Sequence, residues 1–244
     1  MFLKKLRNSQ YKYFIMSSFS FKQFTVHQDL CAMKVGTDGT LLGAWANVPQ
    51  AATPRVLDVG TGTGLIALMI AQRYPQATVK GIDIDEGAVM QARQNVSLSP
   101  FAQRIAIEHT PLQEHASEHA YDAIVCNPPF FTDSLLCPDS QRTTARHTTL
   151  LNFTDLMTHC HSLLSPDGEL SVVIPFDYKD RLDTEALIAG FFNRRIVEVK
   201  TAPHKPVKRY LLSYTKRPAT IERHTIVIGS DEYKRLTCDF YLKH

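Results

Sequence analysis

The run Arg55 Val56 Leu57 Asp58 Val59 Gly60 Thr61 Gly62 Thr63 Gly64 Leu65, passing directly into Ile66 Ala67 Leu68 Met69 Ile70 Ala71 Gln72, restricts the fold more than any other segment. An apolar run that breaks into glycines and resumes as a longer apolar run reads as strand, tight turn and helix. Glycine at 60, 62 and 64 permits positive φ and lets backbone N–H groups approach a ligand with no Cβ in the way. The spacing is GxGxG rather than the GxGxxG of dinucleotide folds. An isolated glycine triplet is weak evidence, but here a strand precedes it, a helix follows it and Asp58 stands just ahead of it.

Thr78 to Asp83 reads as a second strand whose terminal acid lies about twenty residues beyond the glycines, where a Rossmann-type sheet places its ribose-binding carboxylate. Asp83 is expected to accept both ribose hydroxyls, and Ile84 to cover an adenine face. Asp85 and Glu86 suit the cap of a helix over residues 87–98. Ile105 to Ile107 and Tyr121 to Cys126 read as further strands, 153–164 as a helix, 169–174 as a strand after a Ser165 Pro166 Asp167 Gly168 turn, and 179–192 as a helix. Residues 195–199, 210–214 and 225–228 close the pattern as strands. This order predicts an α/β, doubly wound, Rossmann-like sheet, mostly parallel with an antiparallel C-terminal strand. The alternation over residues 19–26 adds a short N-terminal arm or hairpin. Residues 1–18 are expected to be a basic extension that need not be ordered, and 19–244 a single domain.

Charge is unevenly distributed. Residues 1–28 carry five Lys or Arg and no acid, residues 194–217 carry eight against Glu198 alone, and residues 29–193 carry ten basic and nineteen acidic residues. The net charge of +3 therefore conceals two basic ends around an acidic middle. Such ends form an electrostatic footprint for a polyanion when they meet on one surface. The five cysteines (31, 126, 137, 160 and 238) contain no CxxC pair, which argues against a disulfide framework and for a reducing, cytoplasmic setting. No stretch is long and apolar enough to span a membrane.

Asn127 Pro128 Pro129 Phe130 follows the strand Tyr121 to Cys126. A side-chain amide, two residues of fixed φ and an aromatic ring, placed where a parallel sheet presents its ligands, suit the holding of a planar amine. Thr37 Asp38, ahead of an apolar helical run, suits a helix N-cap and also a charged ligand at the helix mouth. His115 and His119 have a helical metal-binding spacing, but no third ligand is apparent and no metal is expected. His159 and His161 do not share a helix face.

Asp58 to Gly64, Asp83 and the Asn127 to Phe130 tetrad together resemble class I S-adenosylmethionine-dependent methyltransferases acting on amino nitrogens. The strings Phe21 Lys22 Gln23 Phe24 and Ala32 to Trp45 more specifically resemble the bacterial family that methylates N6 of the adenine beside the anticodon of valine tRNA. The resemblance spans residues 19–244. It implies S-adenosylmethionine held by Lys34, Thr37, Asp38, Asp58, Gly60, Gly62, Gly64, Asp83, Ile84, Leu112 and Asn127. Asn127 and Pro128 would accept the N–H bonds of the amine, and Phe130 would stack on the base. Lys22, Arg142, Arg146, Lys205, Lys208 and Arg209 would contact RNA, with valine tRNA (adenine 37) as substrate and the enzyme a monomer. One departure stands out: family members commonly carry an acid after the third strand, where this chain has Thr110 Pro111 Leu112 Gln113. Alternatives are a protein glutamine or ribosomal guanine as the amine, and a dinucleotide-binding module without methyl chemistry.

Overall fold

The computed structural model describes residues 17–128 and 151–243. In chain order the elements are β1 (Ser18–Ser20), β2 (Thr25–His27), α1 (Thr37–Trp45), β3 (Arg55–Val59), α2 (Leu65–Arg73), β4 (Thr78–Asp83), α3 (Glu86–Ser97), β5 (Ile105–His109), β6 (Tyr121–Cys126), α4 (Phe153–Leu163), β7 (Leu164–Pro175), α5 (Lys179–Ile188), β8 (Phe192–Lys200), β9 (Val207–Thr215), β10 (Glu222–Val227) and α6 (Asp231–Thr237). Strands β3 to β10 form one sheet in the order β10-β8-β9-β7-β6-β3-β4-β5, and β1 and β2 form a separate antiparallel hairpin.

All neighbours from β5 to β7 are parallel. β9 runs against both β7 and β8, while β10 pairs parallel to β8 at the edge. The expected antiparallel strand is thus β9, inserted between β7 and β8. The six-residue connection from Lys200 to Val207 is too short for a parallel crossover and forces the reversal.

A parallel sheet is covered on both faces, so its strands read as continuous apolar runs. Along β6, Ala123 and Val125 enter one core with α1, α2 and the hairpin, whereas Ile124 and Cys126 enter a second with α4 and α5. Helix α2 is buried from Leu65 to Ala71 because the sheet lies under it and α1 over it. Gly43 allows that close approach, since a Cβ there would stand 2.7 Å from the Met69 sulfur.

Two expectations shift. The turn at residues 165–168 lies within β7: Tyr121 is level with Leu164 but Ala123 with Glu169, so the extra residues are accommodated as a bulge. Helix α5 stops at Ile188 rather than 192, because Gly190 takes φ 93° and the Phe191 N–H turns back to the Ala186 carbonyl.

The hairpin is fixed at both ends. Phe21 stacks on Tyr241 near the C-terminus, with ring centroids 5.9 Å apart. Asn95 of α3, fully buried, accepts the His27 N–H at 2.9 Å and donates to the His27 and Thr63 carbonyls, both at 2.8 Å. Gln91, one turn earlier, accepts the Asp29 and Leu30 N–H groups. One helix face therefore ties the segment after β2 to the glycine loop. Asn95→Ala leaves three backbone groups without this partner and is expected to cost about 1–3 kcal/mol. Urea unfolding measures it as a fall in midpoint at unchanged slope.

Candidate functional site

The register of three parallel strands assembles the site. Val59 at the end of β3 is level with Ile82 of β4 on one side and with Cys126 of β6 on the other. The next residue of each strand, Gly60, Asp83 and Asn127, therefore emerges side by side at the carboxyl edge of the sheet. At the usual strand spacing Asp83 and Asn127 stand about 10 Å apart with the glycine loop between them.

Gly60, Gly62 and Gly64 take φ of 67°, 55° and 80°, which L side chains rarely adopt. A Cβ at Gly60 would point into space with no heavy atom within 4 Å, so the loop forms an open cradle. Beneath it Asp58 is wholly buried. Its Oδ2 accepts the Thr61 hydroxyl at 2.6 Å and the Ala67 N–H at 3.2 Å, while Oδ1 has no partner. Burial pushes its carboxyl up to about 7, only partly opposed by those two hydrogen bonds. A positive charge bound above the loop would favour the ionised form.

Asp83 is anchored to that loop. Its Oδ2 accepts the Gly62 N–H at 2.8 Å and its Oδ1 the Asp85 N–H at 3.0 Å. Each oxygen keeps a second lone pair, so the carboxylate is oriented in advance and can still accept two hydroxyls. Asp85 caps α3 by accepting the Ala88 N–H at 2.7 Å. Ile84 beside it is 49% exposed. Leu112 instead packs into the core with Ile82 and Ile124, which places it behind the site as a floor. Cys31 lies on the other side of Asp83: burial first, then the Asp83 and Asp85 carboxylates, push its thiol up to about 11.

Helix α1 points its N-terminus at Asn127. A Cβ on Gly39 would come within 3.9 Å of the Asn127 amide nitrogen and 3.3 Å of Leu65. The N-cap is Gly36, and no side chain caps the helix. Neither Thr37 nor Asp38 is the cap, because they occupy the first and second positions of the helix itself. Asp38 instead pairs with Arg209 of β9, Nε to Oδ2 at 2.8 Å. Thr37 and Lys34 are exposed at the same mouth.

Met33 is a site residue that sequence reading missed. Its thioether accepts the Asn127 side-chain N–H at 3.5 Å. Sulfur has no proton to give, so this contact assigns the NH2 end of the amide to Met33 and leaves its oxygen for another donor. The only sequence signal was its place in the string from Ala32 to Trp45.

Of the expected RNA contacts, Lys205 and Lys208 are exposed at the start of β9 on this same edge, and Arg209 beside them is held by Asp38. Lys22 is not brought to this edge. Its ammonium donates to the Cys238 carbonyl at 2.6 Å, near Arg73 at the far end of α2. Pro129, Phe130, Arg142 and Arg146 lie outside the described residues, as do residues 1–16. Residues 115–119 are not helical, and His115 bonds the Tyr121 hydroxyl at 2.9 Å. No group of three or more His, Cys, Asp or Glu among the described residues is placed to hold a metal ion.

Three comparisons bear on this arrangement. A family model described as "Methyltransferase small domain" matches residues 37–202. A protein of Bacteroides fragilis named tRNA1(Val) (adenine(37)-N6)-methyltransferase is 47% identical over 237 residues, covering 92% of this chain and 98% of its own. A Vibrio campbellii protein of the same name is 40% identical over 231 residues, covering 92% of this chain and 95% of its own. Among solved structures, a predicted O-methyltransferase from Agrobacterium tumefaciens superposes with TM-score 0.61 at 16% identity, over 83% of this chain and 96% of that one. A glycopeptide N-methyltransferase complexed with S-adenosyl-L-methionine gives TM-score 0.55 at 10% identity, over 75% of this chain and 100% of that one. These two similarities concern the fold.

The buried carboxyl of Asp58 makes stability depend on pH. Its folded pKa of about 7 lies above the unfolded value of about 3.9, so between these the folded state binds more protons than the unfolded. Its contribution is fully present below pH ~4 and is lost as pH rises toward 7. The ligand-free Asp58→Asn variant should lack this fall. Chemical unfolding of both proteins from pH 4 to 8 checks it through the difference between the two profiles.

Proposed function

Because this chain belongs to the methyltransferase small domain family, and within it to the family of tRNA1(Val) (adenine(37)-N6)-methyltransferases, we propose that it methylates N6 of adenine 37 in valine tRNA. The observation that carries this reading is the alignment of Asn127 with Gly60 and Asp83, its amide nitrogen committed to Met33. S-adenosylmethionine, the cofactor of this family, supplies a methyl already activated on a sulfonium, so transfer to nitrogen is an in-line displacement that needs no metal or covalent intermediate.

The protein's part is positioning and charge stabilisation. Gly60 and Gly62 form a cradle free of side chains, Gly64 lets the loop close against Ala92 of α3, Asp83 receives ribose hydroxyls, Ile84 lies beside the base, and Thr37, Asp38 and Lys34 surround the amino-acid end. The cradle that a Cβ at Gly60 would fill and the unpartnered Asp58 oxygen beneath it fit such a ligand.

The exocyclic nitrogen of adenine is a poor nucleophile because its lone pair is delocalised into the ring. Asn127 Oδ1 and the Pro128 carbonyl would accept its two N–H bonds, aim the nitrogen along the edge toward the cradle and stabilise the positive charge that grows on it. We assign the base-stacking role to Phe130 and phosphate contacts to Lys205, Lys208, Arg142 and Arg146. Arg209 serves first to hold Asp38. No described helix is long and apolar enough to cross a membrane, and we place the enzyme in the cytoplasm as a monomer.

Transfer of labelled methyl from S-adenosylmethionine to a valine tRNA transcript tests this reading. Wild-type protein should label adenine 37, and Asn127→Ala should lower kcat by roughly a hundredfold or more, a larger loss than any it causes in S-adenosylhomocysteine affinity. Full activity of that variant contradicts the role of Asn127.

A further inference from the structure

We propose that Phe176, seated on Tyr210, is a stacking platform for a nucleobase adjoining the target adenine. The proposal rests on the RNA-methylating reading above and adds a second base-binding point to it.

Phe176 follows directly on β7 and is 50% exposed. No other described phenylalanine is as exposed. Its ring stacks on Tyr210, with centroids 5.8 Å apart and planes inclined by 22°. Tyr210 itself is buried at 8% exposure and is backed by the Lys179 ammonium 5.7 Å from its centroid. A buried ring thus holds the exposed one flat, and the outer face of Phe176 is presented to solvent. This rigid, open aromatic face is what single-stranded nucleic acid uses, because every base has a π-face to lay on it.

The place fits as well. Cys126 is level with Val172, so the Phe176 backbone emerges three residues beyond the level of Asn127 on the adjoining strand, about 11 Å away by strand geometry, with its ring over Tyr210 on the α4–α5 side of the edge and Asn127 on the α1 side. That separation exceeds the ~3.4 Å rise of stacked bases. Bases held at the two points are therefore unstacked from each other, as an extruded base is from its neighbour. Tyr210 is level with Ile174, and exposed Lys208, two residues before Tyr210, is the extra residue where β9 shifts register against Val199 and Lys200 of β8. Asp177 and Asp180 are exposed nearby, so the patch is not uniformly basic. The ring is its distinguishing element, and the backbone phosphates have Lys205 and Lys208.

The test is binding of the valine tRNA anticodon stem-loop, intact or with one abasic nucleotide beside the target adenine, measured over a salt series. Phe176→Ala should raise Kd about tenfold without changing the salt slope, and Phe176→Trp should restore affinity. Lys208→Gln should instead lower the slope by about 0.7. The abasic change should weaken wild type at one adjoining position and have no further effect on Phe176→Ala. S-adenosylhomocysteine binding reports that each variant is folded. Wild-type affinity in Phe176→Ala overturns the platform, and is what a protein partner on this ring would give. Wild type indifferent to an abasic nucleotide at every adjoining position overturns it without any variant. Wild type that transfers no methyl to the whole valine tRNA transcript overturns the substrate reading and the platform together, whereas methylation with unaltered Phe176→Ala binding overturns the platform alone.

Discussion

Everything at the carboxyl edge depends on the register that sets Val59 level with both Ile82 and Cys126. Side chains alternate along a strand, so a slip of one residue in β6 would turn Asn127 to the opposite face. The register is held by apolar packing on both sides, Val56 and Val125 in one core, Leu57 and Ile124 in the other. The geometry of the reacting groups is thus set by burial far larger than any contact those groups make, which makes preorganisation of this kind robust.

On that frame, several polar groups do two things at once. Asp83 braces the glycine loop through Gly62 and keeps lone pairs for a ribose. Asn95 ties the hairpin to the same loop through His27 and Thr63. The Arg209–Asp38 pair links the α1 mouth to β9, whose first residues lie next to exposed Lys205 and Lys208. Arg195 joins Glu169 and lies 4.0 Å over the Trp45 ring, fastening the other end of α1 to β7 and β8. Helix α1 is therefore fixed to the sheet at both ends, which steadies the face that it turns toward Asn127.

How much of this was legible in the sequence follows from the range of each interaction. The strand, glycine turn and helix from Arg55 onward, the cap by Asp85 and the strand ends at Asp83 and Cys126 are local, and local pattern located them. Gly36 as N-cap was missed because Thr37 and Asp38 have the better capping chemistry, and what outweighs it is an arginine 171 residues away in sequence. Lys22 carries the same charge as the RNA-facing lysines, and what its sequence position does not show is that the fold turns it toward Cys238. Met33, Gln91 and Asn95 carry no motif of their own. Their roles exist only once the segment after β2 has folded over α3 and the sheet edge. The bulge at residues 165–168 resembles a turn in sequence because bulges and turns use the same residue types.

The central claim is that this sheet edge holds an adenine amine of tRNA against an activated methyl. Nucleoside mass spectrometry of valine tRNA, purified from cells with and without the protein and mapped to position 37, tests it most directly. The account predicts N6-methyladenosine at that position only when the protein is present, restored by the wild-type chain but not by Asn127→Ala. The same level of modification in cells lacking the protein would contradict it.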